Sequence, residues 1–205
     1  GKIMVFYTKH SSCCGGTEPF EMFYRISEKP YDISEWSEEM VTNQNTEGWA
    51  AYCYSNPVLL PAEDNNIYLF WRGGNFRPNF SVSSNKGKSW SPAKTLVNHK
   101  EGQKNVRPYM KVADNGRDKI HFAFTDGHPR DEEHNSIYYM YYQKGKLFKA
   151  NDEEITSLDN VPVSPEQAHL AYDAGETGNK AWIWDVAEDK EGNPVLVYAV
   201  FPNDT

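Results

Sequence analysis

Four short apolar runs of one shape recur along the chain: IMVFY, IYLFW, IHFAF and VLVYA, beginning at residues 3, 67, 120 and 195. Each is rich in β-branched and aromatic side chains and too short for a buried helix, so each specifies a strand. The last three follow polar turn sequences, AEDNN, DNGRDK and EDKEGN. One supersecondary unit repeated with loops of unequal length gives this irregular spacing. A second set of strand-like segments follows the first three runs: EMFYRIS (21–27), NFSVSS (79–84) and SIYYMYYQ (136–143). No stretch sustains a 3.6-residue apolar period, and PEQAHLAYDAGE (165–176) reads as one or two helical turns or as a loop. The pattern predicts an all-β chain, a β-propeller of four-stranded antiparallel blades. About four blades are expected, at 1–50, 51–104, 105–160 and, incomplete, 161–205.

Composition narrows the function. The 205 residues carry a net charge of −8 and form no basic stripe, which argues against a nucleic-acid partner. No run is apolar enough to span a membrane, and the first residues lack a signal-peptide pattern. Aromatic residues make up 14% of the chain, as in proteins with half-buried strands and ring-lined grooves. Cys13 and Cys14 are adjacent and Cys53 stands alone, so structural thiols are expected rather than bridges or zinc ligands. Neither a metal nor a cofactor is expected.

Residues 83–90, SSNKGKSW, fit the pattern S-x-D-x-G-x-x-W with Asn85 in the place of Asp. This resembles the Asp-box, the hairpin signature of sialidase-like propellers. The expectation is structural: Asn85 binds local backbone, Gly87 supplies a positive φ, and Trp90 packs beside the strands. SEKPYDISEW (27–36) looks like a decayed version that keeps Ser27 and Trp36.

NPVLL with IYLFWRGGNFRPNF, then RPYMKVADNGRDKIHFAFTDGHPR, then NSIYYMYY with GKLFKA together resemble the BNR-4 family of propeller proteins over most of residues 3–155. That family commonly has seven blades. The resemblance therefore implies a partial ring whose open blade edges self-associate or take a partner. It also implies carbohydrate activity outside the cytoplasm, secreted or periplasmic, on an anionic polysaccharide. Family members include or lie close to uronate-cleaving lyases of the ulvan and rhamnosyl-glucuronate types, which use two histidines, a tyrosine and an arginine. By that resemblance the later histidine matches His10, the tyrosine Tyr54 and the arginine Arg72. A further histidine matches His128, and the earlier one falls upstream of Gly1, so residues 1–205 alone are expected to be inactive.

Propeller sites gather at loops beside the innermost strands. That placement singles out His10, Tyr54 and Arg72 as well, and gives Arg77, Arg107, Tyr109, His128 and Arg130 as substrate-binding candidates. The chemistry suits these types: an arginine fork neutralises a uronate carboxylate, and histidine and tyrosine exchange protons. Arginine beside tyrosine is expected to favour the phenolate. Packing stands as the alternative for Tyr54, and a strand-end cap for His10. His121, inside an apolar run, reads as structural; His99, His134 and His169 read as surface; Tyr138, Tyr139, Tyr141 and Tyr142 read as blade packing. Two other functions stay open. One is a non-catalytic glycan-binding scaffold. The other is a sialidase-like hydrolase, for which FRP (76–78) is a poor FRIP match and no Tyr/Glu pair stands out.

Overall fold

The computed structural model describes residues 1–8, 21–42, 44, 52–101, 103 and 106–202. These residues form antiparallel sheets that succeed one another along the chain. The first holds β1 (Met4–Tyr7), β2 (Met22–Ile26) and β3 (Met40–Thr42). The second holds β4 (Cys53–Leu60), β5 (Asn66–Arg72), β6 (Pro78–Ser83) and β7 (Lys94–Thr95). The third runs β8 (Met110–Asp114), β9 (Lys119–Thr125), β10 (Ile137–Gln143), β11 (Lys146–Phe148) and β12 (Glu154–Ser157). β13 (His169–Tyr172) pairs with β10 of this sheet, and a one-turn helix α1 (Ala174–Thr177) follows. The fourth sheet is the hairpin of β14 (Lys180–Glu188) and β15 (Pro194–Phe201).

The period of two along each strand explains why the sheets stack face to face. On β5, Tyr68 and Phe70 join the core against the third sheet, while Leu69 and Trp71 join the core against the first. On β9, Ile120, Phe122 and Phe124 face the second sheet and Ala123 faces the fourth. Phe70 and Phe122 meet edge-to-face at 5.0 Å between centroids. Rings in that geometry add about 0.5–1.5 kcal/mol to the area they bury.

β10 carries four tyrosines because each buried phenol finds a partner. Tyr138 donates to Asp126 at 3.0 Å, Tyr141 to Asp152 at 2.7 Å and Tyr142 to Glu63 at 2.9 Å. Tyr139 lies 2.7 Å from His121 Nδ1. A ring with a satisfied hydroxyl fills a blade interface without stranding a polar group.

Three of the four apolar runs occupy equivalent places, but not the innermost ones, and the first, β1, is the edge strand of its sheet among the described residues. β5, β9 and β15 are second in their sheets; β4, β8 and β14 precede them, and β4 packs against both β1 and β8. The long loop-or-helix segment 165–176 resolves into a 3₁₀ turn, β13 and α1. Its short polar pieces take their conformation from pairing with β10 rather than from any period of their own.

The loop of residues 83–90 is closed from within. Asn85 Oδ1 accepts the Ser89 N–H at 2.9 Å, and Ser83 Oγ accepts the Gly87 N–H at 2.9 Å. Gly87 has φ +81, and Trp90 stands edge-on to Phe6 and Tyr24. In the corresponding place of the first sheet, Ser27 and Trp36 form an isolated bridge.

Two links set which ends of the sheets belong together. The Ala62 N–H, in the β4–β5 turn, donates to Arg117 O in the β8–β9 turn at 3.0 Å. At the opposite end, Asn135 O accepts the Ala181 N–H at 2.9 Å and Asn135 Nδ2 donates back to Ala181 O at 2.6 Å. The starts of β4, β8 and β14 therefore share one end with the close of β5 and β9.

Candidate functional site

At that shared end the backbone is irregular. Cys53 pairs with Arg72 and Asn56 with Phe70, so Tyr54 and Ser55 together oppose Trp71 alone. This bulge holds Tyr54 at φ +59, a left-handed conformation that a large side chain adopts only under constraint. Asn56 Nδ2 donates to Tyr54 O at 2.6 Å and braces the bend. The result is a tyrosine 44% exposed next to the buried Cys53, with its ring turned onto Arg72.

Arg72 closes β5 and is 7% exposed. Its guanidinium carbon lies 4.8 Å from the centre of the Tyr54 ring and 5.2 Å from those of Phe76 and Tyr109. Three rings around one buried cation stabilise its charge through their quadrupoles. Burial acts to lower the Arg72 pKa, but Cys53, Tyr109 and Tyr54 outweigh it and hold the group above its ordinary value. Tyr54, Asn56, Trp71, Arg72, Pro78, Pro108, Tyr109 and Met110 line a cavity here.

The Tyr54 phenol moves the other way from expectation. Burial pushes it up to about 12, Tyr109 adds to the rise, and Arg72 pulls only partly back. Arginine alone would favour the phenolate; desolvation wins, and Tyr54 is a neutral phenol at neutral pH.

The loop after β5 is shaped by glycine and by two left-handed residues. A Cβ on Gly73 would lie 2.0 Å from Asn79 Nδ2 and 2.7 Å from Trp71 Nε1, so no larger residue fits without displacement. Asn75 and Phe76 have φ +54 and +60, which turns the Phe76 ring between Arg72 and Arg107, 5.2 Å from each guanidinium carbon. Arg77 folds back, its Nε donating to Gly74 O at 3.2 Å. His99 Nε2 donates to Asn75 O at 3.0 Å and holds the loop from outside.

Tyr109 is clamped by β9: its N–H donates to Thr125 Oγ1 at 3.1 Å and its carbonyl accepts the Thr125 N–H at 3.0 Å. Its ring lies 5.7 Å from Tyr54, 5.5 Å from His128 and 5.3 Å from Trp182. His128 Nδ1 accepts the Arg130 N–H at 3.0 Å, which leaves the proton of the neutral ring on Nε2. Burial lowers the His128 pKa, Arg130 and more distant arginines add to this, and Asp131 opposes it. Arg130 is exposed and forks onto its neighbour Asp131 at 2.8 and 3.2 Å.

Of the residues singled out from sequence, Tyr54, Arg72 and Tyr109 thus form one cluster, with Arg107 across Phe76 and His128 against Tyr109. Arg77 points into its own loop and Arg130 is paired at the rim. His10 lies outside the described residues. Sequence reasoning missed Phe76, His99 and Trp182; the GGN turn marked a bend before Phe76 but not the direction of its ring. Among the described residues no group of His, Cys, Asp or Glu is arranged to hold a metal ion, and no helix is long and apolar enough to cross a membrane.

A family model for BNR repeat-containing family members matches residues 1–205. The chain belongs to that family. This BNR-family chain is 26% identical over 198 residues to an ulvan lyase of Nonlabens ulvanivorans, across 88% of its own length and 40% of the relative's. Two solved structures of a PL25 ulvan lyase, one bound to -[GlcA(1-4)Rha3S]-, superpose with a TM-score of 0.69 at 17% and 18% identity. They are matched over 98% of this chain and 49% of theirs, so the BNR-family chain spans about half their length and shares their propeller fold. The chain is thus a BNR-family member similar in sequence to one ulvan lyase and in fold to another.

Proposed function

We propose that the natural protein containing this chain is a polysaccharide lyase that cleaves an anionic glycan by elimination at a uronate residue. The observation that carries the reading is the buried Arg72 cation, ringed by Tyr54, Tyr109 and Phe76 and set beside a phenol held neutral. A uronate carboxylate meets Arg72, whose positive charge stabilises the negative charge that builds as the C5 proton leaves. The C5–H bond breaks, C4=C5 forms, and the C4–O bond to the neighbouring sugar breaks. Tyr54 protonates that departing oxygen, a role its raised pKa suits. His10 takes the C5 proton. His128, whose Nδ1 is already engaged, donates from Nε2 to the substrate. Arg107, Tyr109, Arg77 and Arg130 hold further anionic or hydroxyl groups along the glycan.

The relatives lend weight to this reading, since one is an ulvan lyase and another was solved with a glucuronate-containing ligand. Such a polymer is met outside the cytoplasm, so the protein is secreted or periplasmic. Reduction of the carboxylates tests the central contact. The natural full-length protein should bind and cleave a uronate polymer and ignore its carboxyl-reduced form. Equal binding to both forms would remove Arg72 from the recognition of uronate. Binding to the uronate polymer without cleavage would favour the scaffold reading.

A further inference from the structure

The ring cluster does not stop at Tyr109. Trp182 lies 4.8 Å from His128 and 5.3 Å from Tyr109, and Trp184 stands 6.4 Å beyond it, edge-on and 64% exposed. Trp184 owes its position to the backbone. Ile183 pairs with Tyr198 and Asp185 with Val197, so Trp184 is the extra residue of a bulge in β14. Two of the strands that begin at the site end, β4 and β14, therefore each carry a bulge that redirects an aromatic ring, and the two rings are the ends of one track: Tyr54, Tyr109, Trp182, Trp184. Bulges next to sites serve to re-aim side chains.

We infer that Trp182 and Trp184 form a stacking subsite for a neutral sugar ring of the same glycan, next to the sugar held at Arg72. The apolar face of a pyranose packs on an indole, and an exposed, pre-set indole gives up little conformational freedom on binding. The charge around the track favours a neutral occupant. Arg72 and Arg107 gather at the Tyr54 end, whereas Trp184 is followed in sequence by the exposed Asp185, whose carboxylate accepts the Val186 N–H and, among the described residues, forms no ion pair. An anionic sugar is drawn to the first end and repelled from the second. The proposed uronate reading supplies the identity of the neighbouring sugar; the stacking does not depend on it.

The test uses the natural full-length protein and size-graded oligosaccharides, read by affinity and by tryptophan fluorescence. Wild type should gain about tenfold in affinity once a uronate oligosaccharide is long enough to reach the track. Trp184→Ala should lose that gain while binding the shortest uronate ligand as wild type does, and Trp184→Phe should retain most of it. A neutral oligosaccharide at high concentration should quench fluorescence in wild type but not in Trp184→Ala. If no uronate ligand binds, that neutral arm alone decides: a quench abolished by Trp184→Ala upholds the subsite while the uronate reading fails. Equal weakening of all lengths by Trp184→Ala, or no quench by either ligand, would overturn the inference.

Discussion

The Arg72 guanidinium lies 4.8 Å from the centre of the Tyr54 ring, although the two residues sit on different strands and Tyr54 must adopt φ +59 to meet it. The hydroxyl is not needed for that contact, so Tyr54→Phe should keep the fold and the glycan affinity. It should lower kcat by roughly 10²–10⁴, the range for a lost proton-transfer group. Because burial pushes the phenol up to about 12, activity should show no fall from its ionisation between pH 6 and 10. A basic limb in that range that disappears in Tyr54→Phe would contradict the assignment.

Gly73 separates Arg72 from the loop that carries Phe76. A Cβ there meets the amide of Asn79, itself fully buried, at 2.0 Å. Gly73→Ala should cost about 1–3 kcal/mol of stability, as overpacking does. Glycan affinity should fall with it, because the displaced backbone is that of Arg72. Urea unfolding and binding measured on one preparation check both.

His121 is buried between the third and fourth sheets, its Nδ1 at Tyr139 and its Nε2 at Glu188, 3.0 Å away. Burial pushes its pKa below the ordinary value and Lys119 adds to this, while Glu188 and Asp114 oppose it. The unfolded chain therefore binds the proton more readily. The stability His121 contributes is complete above about pH 6.5 and is lost as pH falls below it. The stability gap between wild type and His121→Gln should narrow from pH 8 to pH 5. A gap independent of pH would contradict it.

Asn85 closes its loop at the end of β6, where Tyr24 also reaches Gly87 O at 2.7 Å. Asn85→Ala should cost about 1 kcal/mol through the lost bond to the Ser89 N–H. Glycan binding should be unchanged, and a change in affinity without a change in stability would assign this loop a ligand.

The strand order was legible wherever the apolar run was short and bounded by turns, as at IYLFW and IHFAF. Both faces of those strands are buried, so the runs read as continuous rather than alternating. β4 and β14 were harder, because a bulge in each breaks the period of two. The same irregularities hid part of the site. Flanking position brought Tyr54, Arg72 and Tyr109 into consideration, but nothing in NF predicts that Phe76 turns left-handed and stands between two arginines. Trp182 and Trp184 were invisible for a similar reason: their direction is set by the pairing of β14 with β15. The sign of the Tyr54 shift was missed because desolvation depends on packing that residue types alone do not specify.

The most direct measurement is ultraviolet absorbance of the products released from a uronate polymer by the natural full-length protein. Elimination leaves a conjugated C4=C5 uronate, so absorbance should rise in step with new chain ends, and Arg72→Ala should abolish both while leaving the thermal unfolding transition in place. New reducing ends without absorbance would show hydrolysis, and undiminished absorbance from Arg72→Ala would show that the buried cation is not what makes the C5 proton leave.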